Sequence, residues 1–233
     1  MTQRSIIVAF TGLRELPATE VANLSRSELM RAGEFKSSHR QQEYLCARAL
    51  LRNILQYFTG EPASSHELTT DEKGKPVCAG GPAITIAHSG DLVVCAATDQ
   101  GEIGVDIEVP GHRRNVTGIA SSFFAAEEVE WLATQPEDRF YMLWVLKEAW
   151  LKAKGTGIAG GLSRLCCFVT PPDIKAYIRD DAIPGLSLHT IESALVGVAT
   201  TSALQLNLAI DYWDPVSGRF EKNNNVQLIA ATS

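Results

Sequence analysis

The stretch EDRFYMLWVLKEAWLKAKG, Glu137 to Gly155, is apolar on almost every side between Phe140 and Leu151. A helix of that kind is buried, so the rest of the chain must cover it. Inside it stand Glu148 and Lys152, one turn apart and on the same side as Trp144. As an i,i+4 pair in its favourable orientation they would stabilise an exposed helix by roughly a few tenths of a kcal/mol. Buried, the same two charges are costly unless something else meets them.

The remaining pattern alternates between strands and helices. SIIVAF, Ser5 to Phe10, reads as a buried strand. ELMRAGEF and RQQEYLCARALLRNILQYF carry apolar residues at helical spacing. In the second, Tyr44, Leu45, Leu51, Leu55 and Phe58 mark the buried stripe and Gly60 the stop. TTDEKGKPVCAGGPA is turn-rich. ITIAH, DLVVCAATD and EIGVDIEV are strand-like; VTGIASSFFAAEEVEWLA and the apolar helix follow; LCCFV, ALVGVATT and QLNLAIDYW return to strands. VVCAAT, Val93 to Thr98, is echoed by LVGVAT, Leu195 to Thr200. The echo suggests two similar halves, each a small antiparallel sheet with helices. At that register Asp106 falls opposite Leu208 and Glu108 opposite Ile210, so the acids belong to one half only.

With 233 residues, 45% hydrophobic and 21% charged, the chain has an ordinary globular composition, enough for one large or two small cores. A formal net charge of -6 argues against broad nucleic-acid binding. Five cysteines without a CxxC, two of them adjacent at Cys166 and Cys167, read as reduced structural thiols. The N-terminal apolar run is too short for a signal peptide and lacks a small-residue cleavage site. No stretch approaches the ~20 apolar residues of a spanning helix. The expectation is a cytoplasmic protein with no membrane segment.

In IGVDIEV, Ile103 to Val109, alternate side chains share a face. Gly104, Asp106 and Glu108 lie on one; Val105, Ile107 and Val109 on the other. Residues two apart on a strand are separated by ~6.6–7 Å, so the two acids repel unless water or a cation screens them. Taken alone, a half-exposed strand with a solvated acidic face is the commoner outcome. The functional reading is a divalent-cation site, since hard oxygen ligands suit Mg²⁺ alongside substrate phosphates. Glu148 would complete it, and Lys152 would neutralise phosphate or help move a proton.

IGVDIE, about forty residues upstream of WVLKEAWLKAKGTGI, resembles the signature of 4′-phosphopantetheinyl transferases of the surfactin-synthetase-activating type, (I/V)G(I/V)D(I/V)E followed by W-x-x-KE(A/S)-x-x-K. GKP at Gly74 to Pro76, ITIAHSGD at Ile84 to Asp91, and the helices ELMRAGEF and YLCARALLR are similar to further elements of that family, in the same order. The resemblance covers roughly residues 24 to 168. It implies an α+β pseudo-dimer of two similar halves in one chain, with 1–102 as the N-terminal half and 103–233 as the half carrying the metal and catalytic motifs. It implies transfer of the phosphopantetheine arm of coenzyme A to a serine of apo acyl or peptidyl carrier proteins, dependent on Mg²⁺, with release of adenosine 3′,5′-bisphosphate.

Carried over by position, Asp106, Glu108 and Glu148 resemble the magnesium ligands. Glu148 is also the candidate for taking the serine proton, directly or through a water, and Lys152 matches the catalytic-helix lysine. Lys75, His88 and Ser89 match coenzyme A contacts; Arg31 and Arg48 suit its phosphate or adenine side. Two departures stand out. Ala87 occupies a place where many members carry serine, and Glu34 and Glu43 fall near positions that are often basic. His39, His66 and His189 read as surface or loop residues, Trp131 and Trp150 as core. Arg113 and Arg114, directly after the acidic strand, would suit docking of acidic carrier helices. A pseudo-dimer needs no second subunit, so a monomer is expected. Two rivals remain: a degenerate module that binds coenzyme A or carriers without turnover, and a metal-dependent nuclease. The nuclease is disfavoured because Glu148 and Lys152 are at helical spacing where Glu-x-Lys on a strand is usual.

Overall fold

The computed structural model describes residues 5–111, 115–157, 161–178, 182, 184–201 and 208–232. They form two compact units, Met1–Gln100 with Leu208–Asn223 and Gly101–Asn207 with Asn224–Ser233. The sequence reading kept everything after residue 102 together; in the structure, segment 208–223 joins the first unit.

Element order repeats. The first unit runs β1 (Ile6–Gly12), α1 (Ala18–Ala22), α2 (Arg26–Gly33), α3 (Ser38–Thr59), then β2 (Leu68–Thr70), β3 (Pro76–Cys78), β4 (Ala83–Ser89) and β5 (Leu92–Thr98). The second runs β6 (Ile103–Glu108), α4 (Val116–Phe123), α5 (Ala126–Leu132), α6 (Asp138–Lys154), then β7 (Leu165–Thr170), β8 (Asp173–Ile178), β9 (Gly185–Ile191) and β10 (Ala194–Thr200). One strand, three helices and four strands thus occur twice. β11 (Ile210–Asp214) and β12 (Arg219–Lys222) complete the first sheet, β13 (Val226–Ala231) the second. The sheet orders are β12-β11-β1-β5-β4 and β6-β10-β9-β13-β8-β7, with β2-β3 as a separate hairpin. Each large sheet is antiparallel except for one pairing, β1 with β11 and β13 with β8.

Register identifies the corresponding strands. β5 pairs with β1 so that Cys95 faces Ala9 and Val93 faces Thr11. β10 pairs with β6 so that Gly197 faces Asp106 and Leu195 faces Glu108. The counterpart of β6 is therefore β1, and Asp106 and Glu108 correspond to Ala9 and Thr11. This corrects the match to Leu208 and Ile210. That match followed the chain past the echoed strands, whereas the sheet reaches back to the strand that opens each unit.

Each long helix covers one face of its sheet. α3 buries Leu50, Leu51, Ile54 and Leu55 against Ile7, Ile84, Val93 and Cys95. Leu51, Leu55 and Phe58 take the expected buried places and Gly60 ends the helix at φ 80°, but Tyr44 and Leu45 are only half-buried. α6 buries Leu143, Leu146, Trp150 and Leu151 in the second core.

A buried cation clamps each core. In α2, Glu28 Oε2 accepts the Ser25 N–H at 2.8 Å and two Arg52 donors at 2.9 and 2.8 Å. Arg52 Nη1 also donates to the carbonyls of Ala63 and His66, at 2.9 and 3.2 Å. In α5, Glu128 Oε2 accepts the Ala125 N–H at 2.9 Å and Lys147 Nζ at 2.7 Å. Lys147 donates in turn to the carbonyls of Leu162 and Leu165, and its ammonium lies 4.8 Å from the Phe124 ring centroid. Lys147 and Glu128 are both 0% exposed. A lysine has three protons to donate, and here each finds an acceptor, which is the condition for tolerating its burial.

α6 also sits unusually close to its sheet. A Cβ at Gly104 would lie 1.9 Å from the Ala149 carbonyl oxygen and 2.5 Å from the Ala153 nitrogen; one at Gly197 would lie 2.5 Å from the Val145 oxygen. Only hydrogen fits at those two positions.

Of the histidines, His39 is exposed beside Asp91 and His66 half-buried near Thr59. His189 departs from the surface reading: it is 1% exposed on β9, with Nε2 3.0 Å from Ser187 Oγ. Alternation puts it on the face opposite Leu186 and Leu188, where Val196 and Val198 of β10 are also fully buried. Trp150 is core, and Trp131 is half-buried edge-on to Phe168. All five cysteines are free thiols, and burial pushes their pKa values up, which makes them poor nucleophiles. Among the described residues no helix is long and apolar enough to cross a membrane.

Two stability tests follow. Gly104→Ala should destabilise by on the order of 3 kcal/mol, because α6 must be displaced. Gly33→Ala, with nothing near its added Cβ, should change stability by no more than about 1 kcal/mol. Urea melts showing equal, small effects would mean that α6 does not rest on Gly104. Burial lowers the His189 pKa from 6.5 to about 4. As pH falls from 6.5 to about 4, the unfolded chain takes a proton that the folded chain refuses, so stability drops across that window and not above it. His189→Gln should flatten that slope; an unchanged slope would assign the acid sensitivity to other groups.

Candidate active site

Gly104, Asp106 and Glu108 share the face of β6 that carries α6, because strand residues two apart project the same way. The close approach at Gly104 brings the helix's last turns beside Asp106. Lys152 Nζ lies 2.7 Å from Asp106 Oδ1 and 3.0 Å from the Val105 carbonyl oxygen. This is a contact between helix and strand, where the sequence suggested an i,i+4 bond to Glu148. One turn earlier, Glu148 Oε1 is buried and accepts no hydrogen bond. Burial raises the Glu148 pKa and the charge of Asp106 raises it further, while Lys152 opposes both. Glu108 is 7% exposed.

The rotation of α6 explains why neighbouring charges act differently. Lys147 turns inward to the clamp with Glu128. Glu148, one residue on and ~100° further round the helix, turns to the Asp106 side. The Lys-Glu dipeptide therefore divides into a structural cation and an unsatisfied acid.

Hard carboxylate oxygens and one orphaned buried oxygen suit a divalent cation such as Mg²⁺. Among the described residues, no three acidic, histidine or cysteine side chains are gathered closely enough to hold an ion as they stand. The donor chemistry fits; the arrangement has Lys152 on Asp106.

In the first unit an open pocket of ≈ 840 Å³ lies between α2, α3, the β2–β3 hairpin and the end of β4. Arg31, Arg40, Arg48 and His88 line it, with Phe35 and Tyr44. Arg48 lies 5.2 Å from the Tyr44 ring centroid and Arg31 5.2 Å from that of Phe35. Glu43 receives Arg40 at 2.7 Å and His88 Nδ1 at 3.2 Å. Glu43, one of the departures from the family pattern, thus orients both Arg40 and His88 in the pocket.

Of the coenzyme A candidates, Arg31, Arg48 and His88 line this pocket. Gly74 and Pro76, which flank Lys75, line it too, while the Lys75 backbone is bonded to Asp71 in the hairpin turn. Ser89 follows His88 on β4, so alternation sends it to the other face. Arg40, Phe35 and Tyr44 were missed. Their signal was present, since Arg40, Glu43 and Tyr44 are three and four apart on α3. Arg113 and Arg114 lie outside the described residues.

A family model described as the 4′-phosphopantetheinyl transferase superfamily matches residues 102–198, which include Asp106, Glu108, Glu148 and Lys152. The chain is 31% identical to the 4′-phosphopantetheinyl transferase HetI of a Nostoc species, over 63% of this chain and 64% of that protein. It is 37% identical to psf-1 of Bacillus pumilus over 51% of this chain and 52% of the relative. It is 31% identical to AcpT of Salmonella typhimurium over 58% of this chain and 71% of the relative. The first two matches thus span less than two thirds of those proteins.

The raised Glu148 pKa has a measurable consequence. A carboxyl held above its unfolded value of 4.5 favours the folded state while protonated, and that contribution is lost as pH rises through the folded value. Without metal, Glu148→Gln should therefore melt higher than the wild type near neutral pH, the two converging at or below about pH 4. A wild type that is the more stable of the two at neutral pH would show that the carboxylate is already partnered.

Proposed function

The chain belongs to the 4′-phosphopantetheinyl transferase superfamily, and from that premise we propose that it transfers the phosphopantetheine arm of coenzyme A to a serine of an apo acyl or peptidyl carrier protein. The observation that carries the reading is the buried, unpartnered Glu148 oxygen on the side of α6 facing Asp106, within the segment the family shares.

The serine oxygen attacks the pyrophosphate phosphorus that bears the pantetheine arm. A new P–O bond forms, the P–O bond to the adenosine portion breaks, and adenosine 3′,5′-bisphosphate leaves. Phosphoryl transfer of this kind depends on positioning and charge more than on covalent help. Asp106, Glu108 and Glu148 would hold Mg²⁺, which when bound neutralises charge on the pyrophosphate. Glu148, its pKa raised, suits acceptance of the serine proton, directly or through a water. Arg31, Arg48 and His88, which line the pocket of the first unit, are assigned to the phosphates and adenine side of coenzyme A. Lys75 and Ser89 are assigned as coenzyme A contacts on the family resemblance, Ser89 from the face of β4 opposite His88. The proposal is of a monomeric, cytoplasmic enzyme that does not act on nucleic acid.

The test is incubation with Mg²⁺, coenzyme A and a panel of apo carriers, read by intact-protein mass. One carrier should gain the phosphopantetheine mass. Asp106→Asn, which keeps shape and loses charge, should remain folded and lose at least ~100-fold in rate, the scale of one lost electrostatic contact at a transition state. No modification of any carrier, or near-normal turnover by Asp106→Asn, would refute the reading or remove Asp106 from it.

A further inference from the structure

Lys152 occupies an Asp106 oxygen that a metal ion bound by the acidic residues would need. Its ammonium touches Asp106 Oδ1 at 2.7 Å and the Val105 carbonyl at 3.0 Å, and thereby joins α6 to β6. The pair is largely withdrawn from water, with side-chain exposures of 32% for Lys152 and 13% for Asp106. One turn away, Glu148 Oε1 is buried and accepts nothing. A buried anionic oxygen without a donor needs a proton or a cation. Lys152 meets the need of Asp106 and leaves that of Glu148 open. An ammonium brings one charge on a flexible stem, whereas a divalent ion brings two and can be shared by several carboxylates.

We propose that Lys152 is the internal counter-ion of this cluster: it holds Asp106 until a divalent cation takes that oxygen, and the displaced ammonium then turns to the anionic groups of the substrate. The inference rests on reading the site as a metal-dependent transferase centre. It gives the lysine two positions and uses its charge in both. Before a cation binds, Lys152 screens Asp106 from its acidic neighbours and keeps the end of α6 on β6. For a cation arriving alone, the exchange is poorly rewarded, because the released ammonium has no new partner. When a polyphosphate is present the ammonium gains one. Cation and polyphosphate therefore favour each other's binding, and by linkage the effect is reciprocal.

Mg²⁺ alone, on the full chain without coenzyme A or carrier, is the probe. Lys152→Met and Lys152→Gln lose the competing ammonium. By titration calorimetry both should bind Mg²⁺ at least ~10-fold more tightly than the wild type, the scale of removing one part-buried ion-pair competitor. Equal or weaker binding by a folded variant overturns the exchange. A second measurement needs no substitution. Wild-type lysines are reductively methylated with and without saturating Mg²⁺ and quantified by peptide mass. Labelling of Lys152 should accelerate several-fold while that of Lys154 is unchanged. Unchanged or slower labelling of Lys152 overturns the proposal even if both variants fail to fold. A wild type that modifies apo carriers but shows neither effect refutes the exchange alone. A wild type that binds no Mg²⁺ with coenzyme A present and modifies no carrier overturns the transferase reading beneath it as well.

Discussion

Helix α6 lies on β6 and β10 with no side chain between backbone and backbone at Gly104 and Gly197, and the geometry of the acidic cluster follows from that contact. Asp106 has the shorter of the two acidic side chains, so the helix must lie close for Lys152 to reach it. With an ordinary side chain at Gly104, the helix would stand off and Lys152 would no longer reach Asp106 at hydrogen-bond distance. Closeness also withdraws the cluster from water. Desolvation is what raises the Glu148 pKa first, ahead of the charge of Asp106.

The two units share a framework and differ where the chemistry differs. Both use a helix-opening glutamate, a buried cation from the long helix, and two carbonyls three residues apart as further acceptors. At the seat of the helix they diverge. By register, Ile7 and Cys95 of the first unit correspond to Gly104 and Gly197 of the second. Both are buried under α3, and Cys95 Sγ reaches the Ala47 carbonyl. Ala9 and Thr11 stand where the second unit has Asp106 and Glu108. One half is spaced by side chains and carries no acids on that strand; the other is packed on glycine and carries them.

The clamps also show how a charge's role depends on its surroundings. Glu128 has both oxygens satisfied, Oε1 by the Cys167 N–H at 2.8 Å. In the first unit Glu28 has Oε2 satisfied while Oε1 is buried without a hydrogen bond and faces Arg48 Nε at ion-pair distance, 4.0 Å. Arg48 lies over Tyr44 at the pocket. The first clamp is thus built into the wall of a cationic pocket, and the second is enclosed.

The alternation of strand and helix, the burial of α6, the acids on one strand face and the glycine beside them were legible in the sequence, because each is a local periodicity or a short motif. So was the candidacy of Glu148 and Lys152, through two charges on an apolar helix and the motif they share with IGVDIE. What tertiary structure decided was partnership. That Lys152 meets Asp106, that Lys147 is buried against Glu128, that His189 is enclosed, and that β6 answers to β1 all depend on segments far apart in the chain. Charged residues at helical spacing look alike whether they face water or a core, since periodicity reports a face and not what covers it. The covering is set by strand register and by the closeness that Gly104 and Gly197 allow, and these exist only once the chain has folded.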